Sequence, residues 1–158
     1  MKNKRVYLAG PDVFFPDVDD RAEVLKIQCD LWGLDGVFPL DANIKLEEPI
    51  NQEKNGYTIF EGNLGLIKSC AAVLANISPF RGPSVDAGTA FEIGYGLACG
   101  LVVVCYTTHL SFYKERVSPD GLMIEDFGMI DNLMIHGAAK GRIYGSASEA
   151  IKHLAECL

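Results

Sequence analysis

The chain has 158 residues, which suits one domain with a single core, so we predict one domain over residues 1–158. Apolar residues make up 49% of it and charged residues 22%, a balance that excludes the disordered class. The net charge of −7 argues against a nucleic-acid polymer or an anionic membrane as partner. The first apolar run ends at Pro11, too soon for a signal-peptide core, and we expect a cytoplasmic protein.

Strand and helix patterns alternate along the chain. In order, they predict a strand at residues 5–9, a helix at about 17–34, a strand at 37–40, a helix at about 52–68, a strand at 71–77, a helix at 87–99, strands at 101–107 and 142–144, and a last helix from residue 146. The strands are continuous apolar runs, as in a sheet covered on both faces. Acidic residues at 17, 19 and 20 suit a helix start, and Gly100 suits a helix end.

This alternation predicts an α/β fold, a doubly wound five-stranded parallel sheet with helices on both faces, of the flavodoxin-like kind. Ligands of such sheets lie beyond the carboxyl ends of the strands. The connection over residues 108–133 is long, and we interpret it as a lid or a subunit contact.

Glu92 is the only formally charged residue between positions 87 and 113. An exposed helix normally carries several charges, so we expect this helix to be buried on most sides. A lone buried carboxylate is costly and often marks a functional site. Gly88, Thr89 and Gly96 share its helical face, and the two glycines are expected to leave room for a substrate ring. The alternative is a glutamate that simply faces solvent.

Asp86 stands at the start of the same helix. An N-cap role alone would explain it. It would also bring a second carboxylate to the rim of the pocket, and two carboxylates in different environments suit glycosyl chemistry.

Four motifs occur in order along the chain: Y-L-A-G-P at residues 7–11, N-L-G-L-I-K at 63–68, D-A-G-T-A-F-E-I-G-Y-G-L at 86–97 and D-N-L-M at 131–134. Together they resemble the nucleoside 2-deoxyribosyltransferase family. The resemblance implies that Glu92 attacks C1′ of a deoxyribose and forms a covalent intermediate, with Tyr7 positioning the nucleophile. It also implies that Asp86 and Asn132 hold sugar hydroxyls, Asn132 reaching the pocket of a neighbouring subunit.

The implied substrates are a deoxynucleoside and a free nucleobase, and the implied assembly is a homo-oligomer with shared active sites. Gly88 is expected to lie beside the substrate. One position departs from the family pattern, because many relatives carry an aspartate near Asn63, where it contacts or protonates the base. An amide can hydrogen-bond but cannot donate a proton as an acid does. Asp12 is a candidate for that task, and its alternative is a solvated turn residue.

Neither a metal nor an organic cofactor is expected. The five cysteines form no C-x-x-C pair, and no dinucleotide or Walker loop is present. Two other functions stay open. A related hydrolase of deoxynucleoside 5′-monophosphates shares the helix glutamate, but such enzymes tend to carry serine where Asp86 stands, since a carboxylate repels phosphate. A non-enzymatic nucleotide sensor on the same fold would not need Glu92.

Overall fold

The computed structural model describes residues 4–42, 44–46 and 51–158. Five strands form one sheet in the order β2-β1-β3-β4-β5, and every neighbouring pair is parallel. The strands are β1 (Arg5–Ala9), β2 (Asp35–Val37), β3 (Ala72–Asn76), β4 (Val102–Tyr106) and β5 (Ile143–Tyr144). The predicted doubly wound sheet is confirmed.

Six α-helices connect or flank these strands in the described residues: α1 (Val18–Leu31), α2 (Gln52–Lys68), α3 (Ala87–Ala98), α4 (Tyr113–Arg116), α5 (Leu133–Ala138) and α6 (Ala147–Cys157). Two short 3-10 turns cover Pro11–Phe14 and Pro39–Asp41. Side chains of Asp86, Asn132 and Ser146 accept hydrogen bonds from backbone N–H groups in the first turns of α3, α5 and α6. These bonds satisfy donors that a helix start leaves free.

The helices cover both faces of the sheet. One core layer joins the sheet to α2, α3 and α5, and the other joins it to α1 and α6. Successive side chains of a strand point to opposite faces. In β1, therefore, Val6 and Leu8 pack with α1 and α6, whereas Tyr7 and Ala9 pack on the α3 side. This alternation places the Tyr7 ring beneath α3.

β2 begins and ends earlier than its apolar pattern predicted. It covers Asp35–Val37 rather than residues 37–40. Pro39 has no backbone N–H to donate to a neighbouring strand and starts a 3-10 turn instead. The Phe38 N–H donates to Asp41 Oδ2 at 2.8 Å and closes this turn.

The prediction that α3 is buried on most sides is wrong for the single chain. Thr89, Ile93 and Gly96 are buried, but Phe91 is 50% exposed and Leu97 is 42% exposed. The outer face of α3 lacks charge and is nevertheless left uncovered by the described residues. An apolar surface of this kind is typical of a face that a partner covers.

The long connection after β4 contains α4 and leads into α5. Across the described ranges, no helix is both long and apolar enough to cross a membrane.

Candidate active site

Tyr7 and Glu92 meet where β1 passes beneath α3. The Tyr7 hydroxyl donates a hydrogen bond of 2.6 Å to Glu92 Oε1. Tyr7 is completely buried, so its ring spans the space between sheet and helix. The other oxygen, Glu92 Oε2, receives no hydrogen bond from any described residue.

The environment of Glu92 favours its protonated form. Burial raises the pKa of Glu92 from 4.5 to about 7, the hydrogen bond from Tyr7 opposes this rise, and the charge of Asp86 adds to it. Burial and the neighbouring Glu92 also raise the pKa of Tyr7. Tyr7 therefore stays a proton donor in the hydrogen bond, while Glu92 is a poorly solvated carboxylate when it ionises.

Asp86 lies at the N-terminus of α3, at the edge of the same site. Its Oδ2 accepts from the Thr89 N–H at 3.0 Å and from Thr89 Oγ1 at 3.3 Å. Its Oδ1 receives no hydrogen bond from the described residues, and Asp86 lines the hollow beside Glu92. The two interpretations of Asp86 are therefore compatible, because one oxygen caps the helix and the other is available to a ligand.

Two adjoining hollows, of about 260 and 270 Å³, share Asn63, Gly88 and Glu92 in their linings. Gly10, at the carboxyl end of β1, lines the first. Most of the remaining wall is apolar: Val13, Phe14, Leu40 and Ile59 line the first hollow, and Phe60, Leu64 and Phe91 line the second. Apolar walls with a few convergent polar groups suit a planar ring carrying a polar edge.

Asn63 projects from α2 into both hollows. Its Oδ1 is buried and has no hydrogen-bond partner among the residues that the structure describes. A buried acceptor without a donor is uncommon in folded proteins, because it loses its bonds to water without replacing them. The atom is therefore suited to an N–H or O–H group of a ligand.

The two glycines near Glu92 have different roles. A side chain at Gly88 would meet Asp86 Oδ2 at 3.0 Å on the wall of the hollows. At Gly96 the added Cβ would lie 2.5 Å from Val73 Cγ2. Gly88 faces the two hollows, and its place beside a substrate stays a prediction. Gly96 instead allows α3 to approach β3, and the prediction that it opens space above Glu92 is wrong.

Neither Asp12 nor Asn132 lines the two hollows. Asp12 lies at their edge, because its carboxylate is close to Gly10, which lines the first hollow. The Asp12 carboxylate accepts from Asn76 Nδ2 at 2.9 Å and from Arg21 Nη1 at 3.1 Å. Asn132 Nδ2 donates to Glu125 Oε1 at 2.7 Å.

An aromatic cluster beside the first hollow did not emerge from the sequence. Phe14 stacks on Phe80 with ring centroids 5.4 Å apart, and the Arg81 guanidinium lies 5.4 and 4.9 Å from the two ring centroids. The only sign of this cluster in the sequence was the adjacent pair Phe80 and Arg81, in the loop that leaves β3.

In the described part of the chain, no group of three or more His, Cys, Asp or Glu residues is arranged to hold a metal ion.

Comparisons with known proteins indicate the family and the fold. The sequence model of the nucleoside 2-deoxyribosyltransferase family matches residues 6–134. An uncharacterized protein of Schizosaccharomyces pombe is 30% identical, over 84% of this chain and 75% of its own length. A structure described as a 2-desoxiribosyltransferase from Leishmania mexicana is 31% identical, with a TM-score of 0.83 over 97% of both chains.

A more distant structure, the CMP N-glycosidase of Clostridium botulinum, is 18% identical, with a TM-score of 0.50 over 98% of this chain and all of its own. At that distance only the fold is shared. The family match, in contrast, extends over most of the chain and includes α3 and all of β1 except Arg5. The chain therefore belongs to the nucleoside 2-deoxyribosyltransferase family.

Proposed function

We propose that the protein transfers 2-deoxyribose from one nucleobase to another through a covalent deoxyribosyl-Glu92 intermediate. The observation that carries this proposal is the Tyr7–Glu92 hydrogen bond of 2.6 Å beside an apolar cleft. One carboxylate oxygen is held, and the other has no hydrogen-bond partner in the described part of the chain, which is the arrangement that a positioned nucleophile needs.

The reaction has two steps. Glu92 Oε2 forms a bond to C1′ while the bond between C1′ and the base nitrogen breaks, and the departing base keeps the electron pair and gains a proton. A nitrogen of the second base then attacks C1′, loses its proton, and releases the Glu92 carboxylate. In the intermediate, Tyr7 can still donate to the ester oxygen, so the same bond orients both states.

Asp86 and Asn63 are suited to the two halves of the substrate. The free Oδ1 of Asp86 can accept a hydrogen bond from a sugar hydroxyl at the rim. The unpartnered Oδ1 of Asn63 can accept from a donor on the base. Asn63 cannot supply the proton that the departing base requires. The Asp12 carboxylate is held by Arg21 and Asn76, so we propose that it supports the turn after β1.

The proposal includes a homo-oligomer in which Asn132 completes the pocket of a neighbouring subunit. Asn132 lines neither hollow of its own chain. The next residues, Leu133 and Met134, are exposed, as is Phe91 beside Glu92. Exposed apolar groups at both places support contact with a second copy.

Trapping and exchange test the chemistry. A 2-fluoro deoxynucleoside should add its sugar mass to the peptide that contains Glu92, and a label on another residue would contradict the assignment. Glu92→Ala and Glu92→Gln should each lower turnover by several orders of magnitude, since neither residue is an effective nucleophile. Incubating one deoxynucleoside with a second free base should yield a new deoxynucleoside.

Hydrolysis is the second candidate, because the fold also carries the CMP N-glycosidase of Clostridium botulinum. Water would then resolve the intermediate, and the second base would not alter the products. Asp86 at the rim disfavours a substrate phosphate by charge repulsion. Free base and deoxyribose as the only products would identify a hydrolase, and absence of any turnover would favour a nucleotide sensor.

Mixing inactive variants tests the shared site. Co-assembly of Glu92→Ala with Asn132→Ala should restore part of the activity, because some pockets then combine an intact Glu92 with an intact Asn132 from another chain. Confirmed subunit exchange without recovered activity would reject the shared site. A fully active monomer by light scattering at assay concentration would reject it as well.

A further inference from the structure

A buried ion pair lies beneath the loop that precedes α3. Arg116 Nη2 is 3.7 Å from Asp131 Oδ2, and the two side chains are 11% and 0% exposed. Burying two charges costs several kcal/mol per ion, by order of magnitude, unless further hydrogen bonds offset the loss of water. The partners of this pair therefore indicate what the pair is for.

The Asp131 carboxylate accepts hydrogen bonds from three neighbours. The Ser84 hydroxyl and the Asn132 N–H donate to Oδ1, the latter at 2.7 Å. The Val85 N–H donates to Oδ2 at 3.1 Å. Two of these donors lie directly before Asp86 in the chain.

Arg116 binds the same stretch of backbone. Its Nε donates to the Pro83 carbonyl oxygen at 2.9 Å, and its two terminal nitrogens each donate at 2.5 Å, one to the Ser111 carbonyl oxygen and one to that of Ile130. Together the pair holds residues 83–85, the three residues before Asp86. It joins them to the segment between β4 and α5.

The loop from β3 to α3 belongs to no strand or helix, so no regular series of backbone hydrogen bonds fixes its position. Within it, the Phe80 N–H donates to the Ser84 carbonyl oxygen at 3.0 Å. Arg81 adopts a left-handed conformation with φ of 54°, which is unfavourable for a residue other than glycine. Backbone outside helices and sheets relies on side-chain bonds for its position. Asp131 and Arg116 supply several of them at the end nearest Asp86.

We propose that Asp131 is a positioning residue for the sugar site, which acts through Ser84 and Val85 on the location of Asp86. This inference rests on the proposed role of Asp86 in holding a sugar hydroxyl. The same carboxylate fixes the backbone of Asn132, so one buried group sets the start of both α3 and α5. A purely structural ion pair would not need its bonds to converge on the residues next to a substrate carboxylate.

Ser84→Ala is the sharpest test, because it deletes one hydrogen bond to Asp131 and leaves the ion pair intact. Binding is measured by calorimetry in the Glu92→Gln background, where no turnover disturbs the equilibrium. The probes are a 2′-deoxynucleoside and the matching 2′,3′-dideoxynucleoside. Ser84→Ala should lower the affinity for the deoxynucleoside about tenfold, which is the loss expected when one hydrogen bond to the sugar hydroxyl is no longer formed. The affinity for the dideoxynucleoside should stay nearly unchanged.

Ser78→Ala is the matched control. Its hydroxyl lies in the same loop and accepts from the Thr108 N–H at 3.2 Å, but it is at the end farther from Asp86. It should change neither affinity. Thermal unfolding of both variants measures any loss of stability. A general structural defect would weaken binding of both nucleosides alike, whereas a displaced Asp86 would weaken only the deoxynucleoside.

Asp86→Ala separates the two proposals, because alanine has no group that can bind a sugar hydroxyl. If Asp86→Ala removes the preference for the deoxynucleoside over the dideoxynucleoside while Ser84→Ala and Asp131→Asn both preserve it, the positioning inference is wrong and the role of Asp86 stands. If Asp86→Ala preserves this preference, the sugar role of Asp86 fails and the inference falls with it. In a double-mutant cycle, Ser84→Ala should add little to Asp86→Ala. Additive losses would contradict action through Asp86.

Discussion

Replacing the partly buried carboxylate of Glu92 by an amide should stabilise the protein at alkaline pH. Glu92→Gln keeps the size of the side chain and an oxygen that can accept from Tyr7, but it removes the charge. Burial raises the pKa of Glu92 from 4.5 to about 7. At about 1.4 kcal/mol for each tenfold change in proton affinity, this corresponds to about 3 kcal/mol.

The direction in which the free energy of unfolding changes with pH follows from proton binding. Between pH 4.5 and about 7 the unfolded chain has released the Glu92 proton and the folded chain retains it. The contribution of Glu92 to the free energy of unfolding therefore falls as pH rises through this window and is lowest above it. An amide does not titrate, so the advantage of Glu92→Gln should be near zero at pH 4.5 and approach about 3 kcal/mol at pH 8.

Urea unfolding of both proteins at the two pH values measures this difference. Glu61→Gln, which replaces an exposed carboxylate on α2, is the matched control, and its effect should stay small at both pH values. A Glu92→Gln variant that is no more stable than the parent at pH 8 would refute the reasoning. So would a stability difference that is the same at both pH values.

Three further predictions concern the site and its support. The kcat/KM should rise with pH through about 7, where Glu92 ionises. Tyr7→Phe should lower it about tenfold and move that rise to higher pH, because the lost hydrogen bond favours the charged form of Glu92; an unchanged pH profile would assign Tyr7 to packing alone. Gly96→Ala should lower the free energy of unfolding by about 1–3 kcal/mol through its clash with Val73. Gly88→Ala should instead raise KM and leave thermal unfolding nearly unchanged. The opposite pattern would contradict the roles assigned to the two glycines.

The lone charge at Glu92 and its flanking motif identified the central residue of the candidate site from sequence alone. Its partner Tyr7 was matched by family resemblance, since 85 positions separate the two residues. No sequence pattern indicates that Asn63 Oδ1 lacks a hydrogen-bond partner among the described residues, because this depends on every group that surrounds the atom in the fold. The hydrogen bonds that converge on Asp131 could not be predicted for the same reason, although Asp131 lies in one of the recognised motifs.

Local patterns were sufficient for the order and type of the main strands and helices. The bounds of β1 and α2 agree with their predictions, because apolar periodicity reflects which face of each element is buried. The local patterns gave wrong predictions in two places. At β2, Pro39 ends the pairing with β1, and on the outer face of α3 the absence of charge did not mean burial. Only the tertiary structure decided that Gly96 packs on Val73 while Gly88 faces the cleft, and that Asn132 lies outside its own pocket. Contacts of that kind depend on how distant segments pack against one another, and no spacing along a single segment determines them.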